Sequence, residues 1–130
     1  MTWQPERYLQ FHDHRTRPAR DLLARVPLDA PKRVYDLGCG PGNSTGLLCQ
    51  RWPSADVTGV DNSAEMLTTA AASGVPAKWV EATIEEFAPD EPADVIFSNA
   101  ALHWVADHAT LVPRLFGQLA AGGVLAAQMP

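Results

Sequence analysis

Asp36, Gly38, Gly40 and Gly42 recur at every second position in Asp36-Leu37-Gly38-Cys39-Gly40-Pro41-Gly42, and Asn43-Ser44-Thr45 follow at once. Glycine reaches positive φ and lets a ligand approach bare backbone. The short β-prone run Arg33-Val34-Tyr35 precedes the glycines, and Gly46 to Trp52 reads as a helix after them. The glycines therefore fill a tight turn from strand to helix. A helix start offers free N–H groups and the positive end of its dipole, which attract a carboxylate or phosphate. The chemistry this implies is the binding of a nucleotide-type cofactor. The bland alternative is a glycine-rich turn that binds nothing.

Glycine spacing separates cofactors. A dinucleotide fingerprint is G-x-G-x-x-G after a strand, and a P-loop is G-x-x-x-x-G-K-[ST]. This chain has G-x-G-x-G, which disfavours a nicotinamide-dependent oxidoreductase and excludes a P-loop. A second strand, Asp56-Val57-Thr58-Gly59-Val60, ends in Asp61, 19 residues beyond Gly42. An acid at that distance, at the end of the second strand, can accept both ribose hydroxyls. Asp61 also precedes a helix opened by the cap-type residues Asn62 and Ser63, so a purely structural role stays open. Met66 is either a flank for a base or core packing.

The remaining elements must position these groups. Residues 1 to about 26 read as helical with a break near Arg17-Pro18. They hold an aromatic and basic cluster that includes Trp3, Tyr8, Phe11, His12, His14, Arg15 and Arg17. That cluster is either a lid whose Arg15 or Arg17 grips carboxylates through a planar fork, or an amphipathic helix with solvated arginines. Residues 27–32 form a linker. The helix after Asp61 stops near Ser73-Gly74, where glycine suits the position just past a helix end. A third strand spans 77–81, and Ala82-Thr83-Ile84 follow it, with Glu85 and Glu86 expected as solvated helix charges. A buried strand runs Ala93 to Asn99 and opens into Ala100-Ala101-Leu102-His103-Trp104. Ligands of open α/β sheets bind outside the carboxyl ends of strands, at the switch point. Asn99, His103 and Trp104 are therefore expected to face a transferred group, with His103 as a polar contact or general base. His108 is expected at the surface. A helix over 111–119, a turn at 120–123 and a fifth strand over 124–129 complete the series. Strands alternating with helices require a mostly parallel sheet.

Composition bounds the remaining possibilities. A chain of 130 residues makes one domain with a real core. The net charge of −5 argues against bulk nucleic acid or an anionic membrane as partner. No apolar run approaches the roughly 20 residues of a membrane span. The polar, charged N-terminus lacks the pattern of a signal peptide. Cys39 and Cys49 are expected as reduced thiols, which with the missing signal suggests the cytoplasm.

The D-x-G-x-G-x-G pattern of Asp36 to Gly42 resembles the first motif of class I S-adenosylmethionine-dependent methyltransferases. The whole chain resembles the N-terminal half of the trans-aconitate methyltransferase family within that class. The resemblance rests on Trp3-Gln4-Pro5 with Tyr8-Leu9, Arg15 to Pro18, Leu22 to Leu28, Asp36 to Thr45, Gln50 to Pro53, Val80-Glu81-Ala82, Asn99-Ala100 with Trp104, and Gly123 to Pro130. The malonyl-carrier-protein carboxyl methyltransferases share the Ser98-Asn99 to Trp104 segment but fit the N-terminal block less well.

The resemblance implies a doubly wound, Rossmann-like α/β sheet, with an N-terminal helical lid over 1–30 and a cofactor core over 31–130. It implies S-adenosylmethionine bound by Asp36, Gly38, Gly40, Gly42, Asp61, Asn62, Thr83, Ile84 and Asn99. It implies a small polycarboxylate substrate, trans-aconitate; Arg15, Arg17 and His103 are the expected contacts of its carboxylates, with His103 and Trp104 beside the reacting group. Family members place an Asp, which contacts the adenine amine, where this chain has Thr83, so the Ile84 N–H is the remaining backbone donor there. Family members also continue for roughly another hundred residues. The expectation is therefore a sheet truncated after its fifth strand, whose exposed edge invites self-association. A cofactor-binding module without catalysis is the competing expectation.

Overall fold

Apolar residues alternate along the central strands with period two, so each strand feeds two faces. Val34, Val95 and Phe97 point to one side, and Leu37 and Ile96 to the other. The computed structural model, which describes residues 17–129, builds a five-stranded sheet from this pattern. The strands are β1 (Arg33–Leu37), β2 (Asp56–Asp61), β3 (Lys78–Glu81), β4 (Ala93–Asn99) and β5 (Leu119–Gln128). Their order is β3-β2-β1-β4-β5, and every pairing is parallel. The helices are α1 (17–23), α2 (Asn43–Arg51), α3 (Ala64–Ala72) and α4 (His108–Phe116). A doubly wound sheet was the expectation, and this is one.

The first face packs Leu23 and Val26 from the N-terminal segment, with Leu47, Leu48 and Trp52, on Val34, Val57, Val95 and Phe97. The second packs Leu111 and Leu115 of α4, with Leu102 and Phe87, on Leu37, Val60 and Ile96. The N-terminal lid falls largely outside the described residues, Arg15 included. Residues 17–23 are helical and Ala19 is buried, so this part is docked on the sheet.

Several boundaries differ from the expectation. The helix expected over 111–119 starts at His108, because the Asp107 carboxylate caps it by accepting from the Thr110 amide (3.1 Å). Pro113 therefore stands inside the helix and not near its start. His108 is not a surface residue: it is half-buried, and its Nε2 meets the Leu102 carbonyl at 2.6 Å. The turn expected at 120–123 is absorbed into β5. The register slips between Ala93↔Leu119 and Val95↔Val124, and the surplus residues bulge with Gly122 at φ +80°. Glu85 and Glu86 lie in a turn and not in a helix.

Arg51 fastens the N-terminal segment to this frame. Its guanidinium donates to the carbonyls of Leu23, Val26 and Leu28 and stacks on Trp52, 4.6 Å from the ring centroid. The Leu23 carbonyl also accepts from the Val26 amide and the Leu28 carbonyl from the Trp52 indole, so loss of the guanidinium would leave the Val26 carbonyl without a donor among the described residues and remove one donor from each of the other two. Arg51→Ala should lower stability by about 1–3 kcal/mol. Urea unfolding should show a lower midpoint at unchanged slope, and an unmoved midpoint would refute the fastening.

Candidate functional site

The turn between β1 and α2 is anchored on the end of β2. Gly38 and Cys39 donate their amides to the Val60 carbonyl at 2.7 and 3.0 Å. The Asp61 carboxylate accepts from the Gly40 amide through Oδ2 and from the Ser63 amide through Oδ1, both at 2.9 Å. One acid thus holds the glycine turn and opens α3, where the Ser63 hydroxyl then accepts from the Met66 amide. Gly38, Gly40 and Gly42 all have positive φ: 72°, 55° and 96°. At Gly38 space matters as well, since a Cβ would stand 2.4 Å from the Ala101 Cβ.

Asp36 is fully buried in β1. The hydroxyls of Ser44 and Thr45, in the first turn of α2, both donate to its Oδ2 at 2.7 Å. Its Oδ1 is buried without a protein partner among the described residues. Burial pushes the Asp36 pKa up to about 6, against the pull of the two hydroxyls, and the nearby Asp61 charge adds to the rise.

The turn opens on a cavity of about 500 Å³ at the carboxyl ends of the strands. Gly38, Gly40 and Pro41 form one wall, and Asp61, Asn62, Ser63 and Met66 another. Ala82, Thr83, Ile84 and Glu85 follow from β3, and Ala100, Ala101, Trp104 and Val105 close the far side. The size and mixed lining suit a small-molecule site. Among the described residues no Lys or Arg lines it. Trp104 is 82% exposed at its rim and rests against His103, with ring centroids 4.6 Å apart.

The structure brings together Gly38, Gly40, Asp61, Asn62, Thr83, Ile84 and Trp104 of the residues read from sequence. It leaves others out of the cavity lining, the fully buried Asp36 among them. His103 is exposed outside it. Asn99 is half-buried, with its Oδ1 unpartnered. Gly42 is the buried N-cap of α2. Arg17 borders a separate groove with Pro18, Asp21, Leu22, Arg25, Ala127 and Gln128. Thr83 offers no spare hydroxyl proton, because it donates to the Glu86 carboxylate at 2.9 Å.

Sequence reading missed Ser44 and Thr45 as partners of Asp36, although two hydroxyls at a helix start after the glycines were a usable signal. It also missed the support beneath the turn. A Cβ on Gly59 would meet the Trp79 ring at 2.5 Å and the Cys39 sulfur at 3.0 Å, and one on Gly42 would meet the same ring at 3.1 Å. Both cysteines are free and buried. Burial raises both thiol pKa values, that of Cys49 to about 12, so neither ionises near neutral pH. Among the described residues no cluster could hold a metal, and no helix is long and apolar enough to cross a membrane.

Two predictions follow from the two acids and the turn. The folded pKa of Asp36 lies above its ordinary 3.8, so the folded state retains a proton that the unfolded state has lost. Stability from this group is whole below about pH 4 and is lost as pH rises through about 6. Melts of the ligand-free chain should show that slope, and Asp36→Asn should flatten it; an equal slope in the variant would contradict the assignment. Gly38→Ala combines a left-handed φ with the Ala101 clash, so it should lower the melting temperature and abolish ligand binding. A variant with native affinity would mean that the turn yields freely.

Comparison with known proteins agrees with this geometry. The family model described as a methyltransferase domain matches residues 35–127. The chain is 57% identical over 129 residues to a trans-aconitate 2-methyltransferase of Azoarcus sp. (strain BH72), covering 99% of this chain and 51% of that protein. It is 56% identical over 133 residues to that of Delftia acidovorans, covering 100% and 50%. The chain thus spans about half the length of the curated relatives it matches. Among solved structures, an S-adenosylmethionine-dependent methyltransferase from Mesorhizobium loti superposes with TM-score 0.74 at 31% identity, over 85% of this chain and 52% of that one. A complex described as that between the Haloferax volcanii Trm112 methyltransferase activator and the putative methyltransferase shares the fold with TM-score 0.79 at 24% identity, over 94% of this chain and 55% of that one.

Proposed function

The chain belongs to the methyltransferase domain family, and on that premise we propose that it forms the cofactor half of an S-adenosylmethionine-dependent carboxyl methyltransferase. The substrate we assign is a small polycarboxylate, trans-aconitate, converted to its monomethyl ester. The observation that carries the reading is the Asp61 carboxylate bound to the Gly40 amide at the cavity wall. It sets an acid with lone pairs to spare beside a bare glycine backbone. The substrate assignment leans on the relatives that are more than half identical.

The residues present fit S-adenosylmethionine. Asp61 remains half-exposed for ribose hydroxyls, and Gly40 lines the cavity with open space where a Cβ would stand. Ionised Asp36, with one oxygen unpartnered, favours a cationic ligand. When bound, the cofactor supplies an electrophilic methyl group on a sulfonium. In this reading Gly38, Gly40 and Asp36 serve the methionine part, Asp61 and Asn62 the ribose, and Ile84 with Thr83 the base. A substrate carboxylate is ionised at pH 7 and needs no deprotonation. The protein's task is then to hold the reactants in line and exclude water. The absence of His103 from the cavity lining is compatible with that, since the chemistry requires no base. Trp104 at the rim would shield the reacting groups.

The N-terminal segment, 1–30, is assigned as a lid over the core, 31–130, with Arg15 and Arg17 as the substrate's cationic partners. A second reading is cofactor binding without methyl transfer by this chain alone. The described part of the cavity lining holds no Lys or Arg, so a counter-charge for a polycarboxylate has to come from outside it.

Calorimetric titration with S-adenosylhomocysteine tests the first half of the proposal. We expect binding, weakened more than tenfold, about 1.4 kcal/mol, in Asp61→Ala. Preference for NAD would refute it. Methylation of trans-aconitate by the cofactor-binding chain would decide between catalysis and the second reading.

A further inference from the structure

The turn after β3 carries Thr83, Ile84 and Glu85 into the cavity, yet little in its own sequence holds it in shape. Thr83 and Glu86 form a reciprocal pair. The Thr83 hydroxyl oxygen accepts from the Glu86 amide (3.1 Å), and the Glu86 carboxylate accepts from the Thr83 hydroxyl (2.9 Å) and amide (3.4 Å). This is the capping-box arrangement, here on a single turn. The Phe87 amide donates to the Ile84 carbonyl at 3.3 Å. The amides of Ile84 and Glu85 are the two donors left over, and both residues line the cavity.

An exposed single turn is marginal by itself, since nucleating a helical turn is unfavourable. The support comes from α4, about thirty residues away in sequence. The Arg114 guanidinium donates from Nη2 to the Phe87 carbonyl at 2.5 Å and from Nη1 to the Ile84 carbonyl at 3.5 Å. Gln118, one turn further along, donates from Nε2 to the same Phe87 carbonyl at 2.7 Å. Phe87 itself is buried against Tyr35, with ring centroids 5.0 Å apart. Arg114 therefore grips the turn through the carbonyls of Ile84 and Phe87, and Ile84 itself lines the cavity.

We propose that Arg114 is a positioning residue for recognition of the ligand's base: it fixes the 83–87 turn so that the Ile84 amide presents a rigid donor to a ring nitrogen that accepts in adenine and carries a proton in its 6-oxo analogue. It touches no ligand atom. The inference rests on the cofactor reading above, and it adds an origin for base selectivity where Thr83, engaged with Glu86, has no proton to spare. A planar fork that reaches two carbonyls is the property lysine lacks.

The test compares S-adenosylhomocysteine with S-inosylhomocysteine, its 6-oxo analogue, by calorimetry on the 130-residue chain at a temperature well below melting. Arg114→Ala should weaken binding of the adenine ligand about tenfold and shrink the preference for it over the inosine ligand. Arg114→Lys should fall between the variant and the wild type in both respects. A merely structural arginine would lower the melting temperature and leave that preference intact, which would overturn the proposal. Should Arg114→Ala fail to fold, Arg114→Lys decides alone: an unchanged preference overturns the proposal, and a reduced one supports it. A wild-type chain that binds neither ligand would overturn the cofactor reading and this inference together. Wild-type binding with an indifferent variant would overturn only the inference.

Discussion

Two carboxylates on neighbouring strands hold the glycine turn, and the site depends on the difference between them. Asp61 is half-exposed and uses both oxygens on backbone amides, one in the turn and one at the start of α3. Asp36 is buried, uses one oxygen on two hydroxyls and leaves the other without a partner among the described residues. A bare buried carboxylate oxygen opposes folding when ionised. The same constraint explains why Ser44 and Thr45 follow the glycines directly: only residues in the first turn of α2 can reach back to the end of β1.

The sheet order turns these local facts into a cavity. β1 and β4 are neighbours at the point where the chain reverses its direction of travel across the sheet. Helices leave that point on opposite faces, so a crevice must open between them. The glycine turn fills one lip and the segment after β4 the other. They approach so closely that the Gly38 position has no space for a methyl group beside Ala101. Ala100 takes a left-handed φ of +57° to make that corner, a conformation uncommon outside glycine.

Support for the cavity walls comes from both faces. Trp79 underlies the turn by covering Gly59 and Gly42, and Arg114 with Gln118 underlies the turn after β3. Each wall is therefore a loop braced by a side chain from another element. Such bracing suits a binding site, because loops positioned by a rigid scaffold can present backbone groups that the scaffold itself has consumed.

The sequence by itself determined the alternation of strands and helices, the strand-to-helix glycine turn and the acid at the end of β2. These are written in local terms: period-two apolar runs, positive-φ residues and a fixed spacing along the chain. It also determined the caps at Ser63 and Gly74, which are short-range. What only the tertiary structure decided is everything that joins distant residues. The bulge in β5 arises from pairing with β4 and not from the Gly122-Gly123 pair read alone. His108 is drawn inward by a carbonyl of the preceding turn, and Pro113 sits mid-helix because the Asp107 cap moves the helix start upstream. Asn99 ends β4 and His103 follows it, yet neither joins the cavity lining, while Glu85 enters it. Spacing names the residues near a strand end, but only packing decides which way their side chains point.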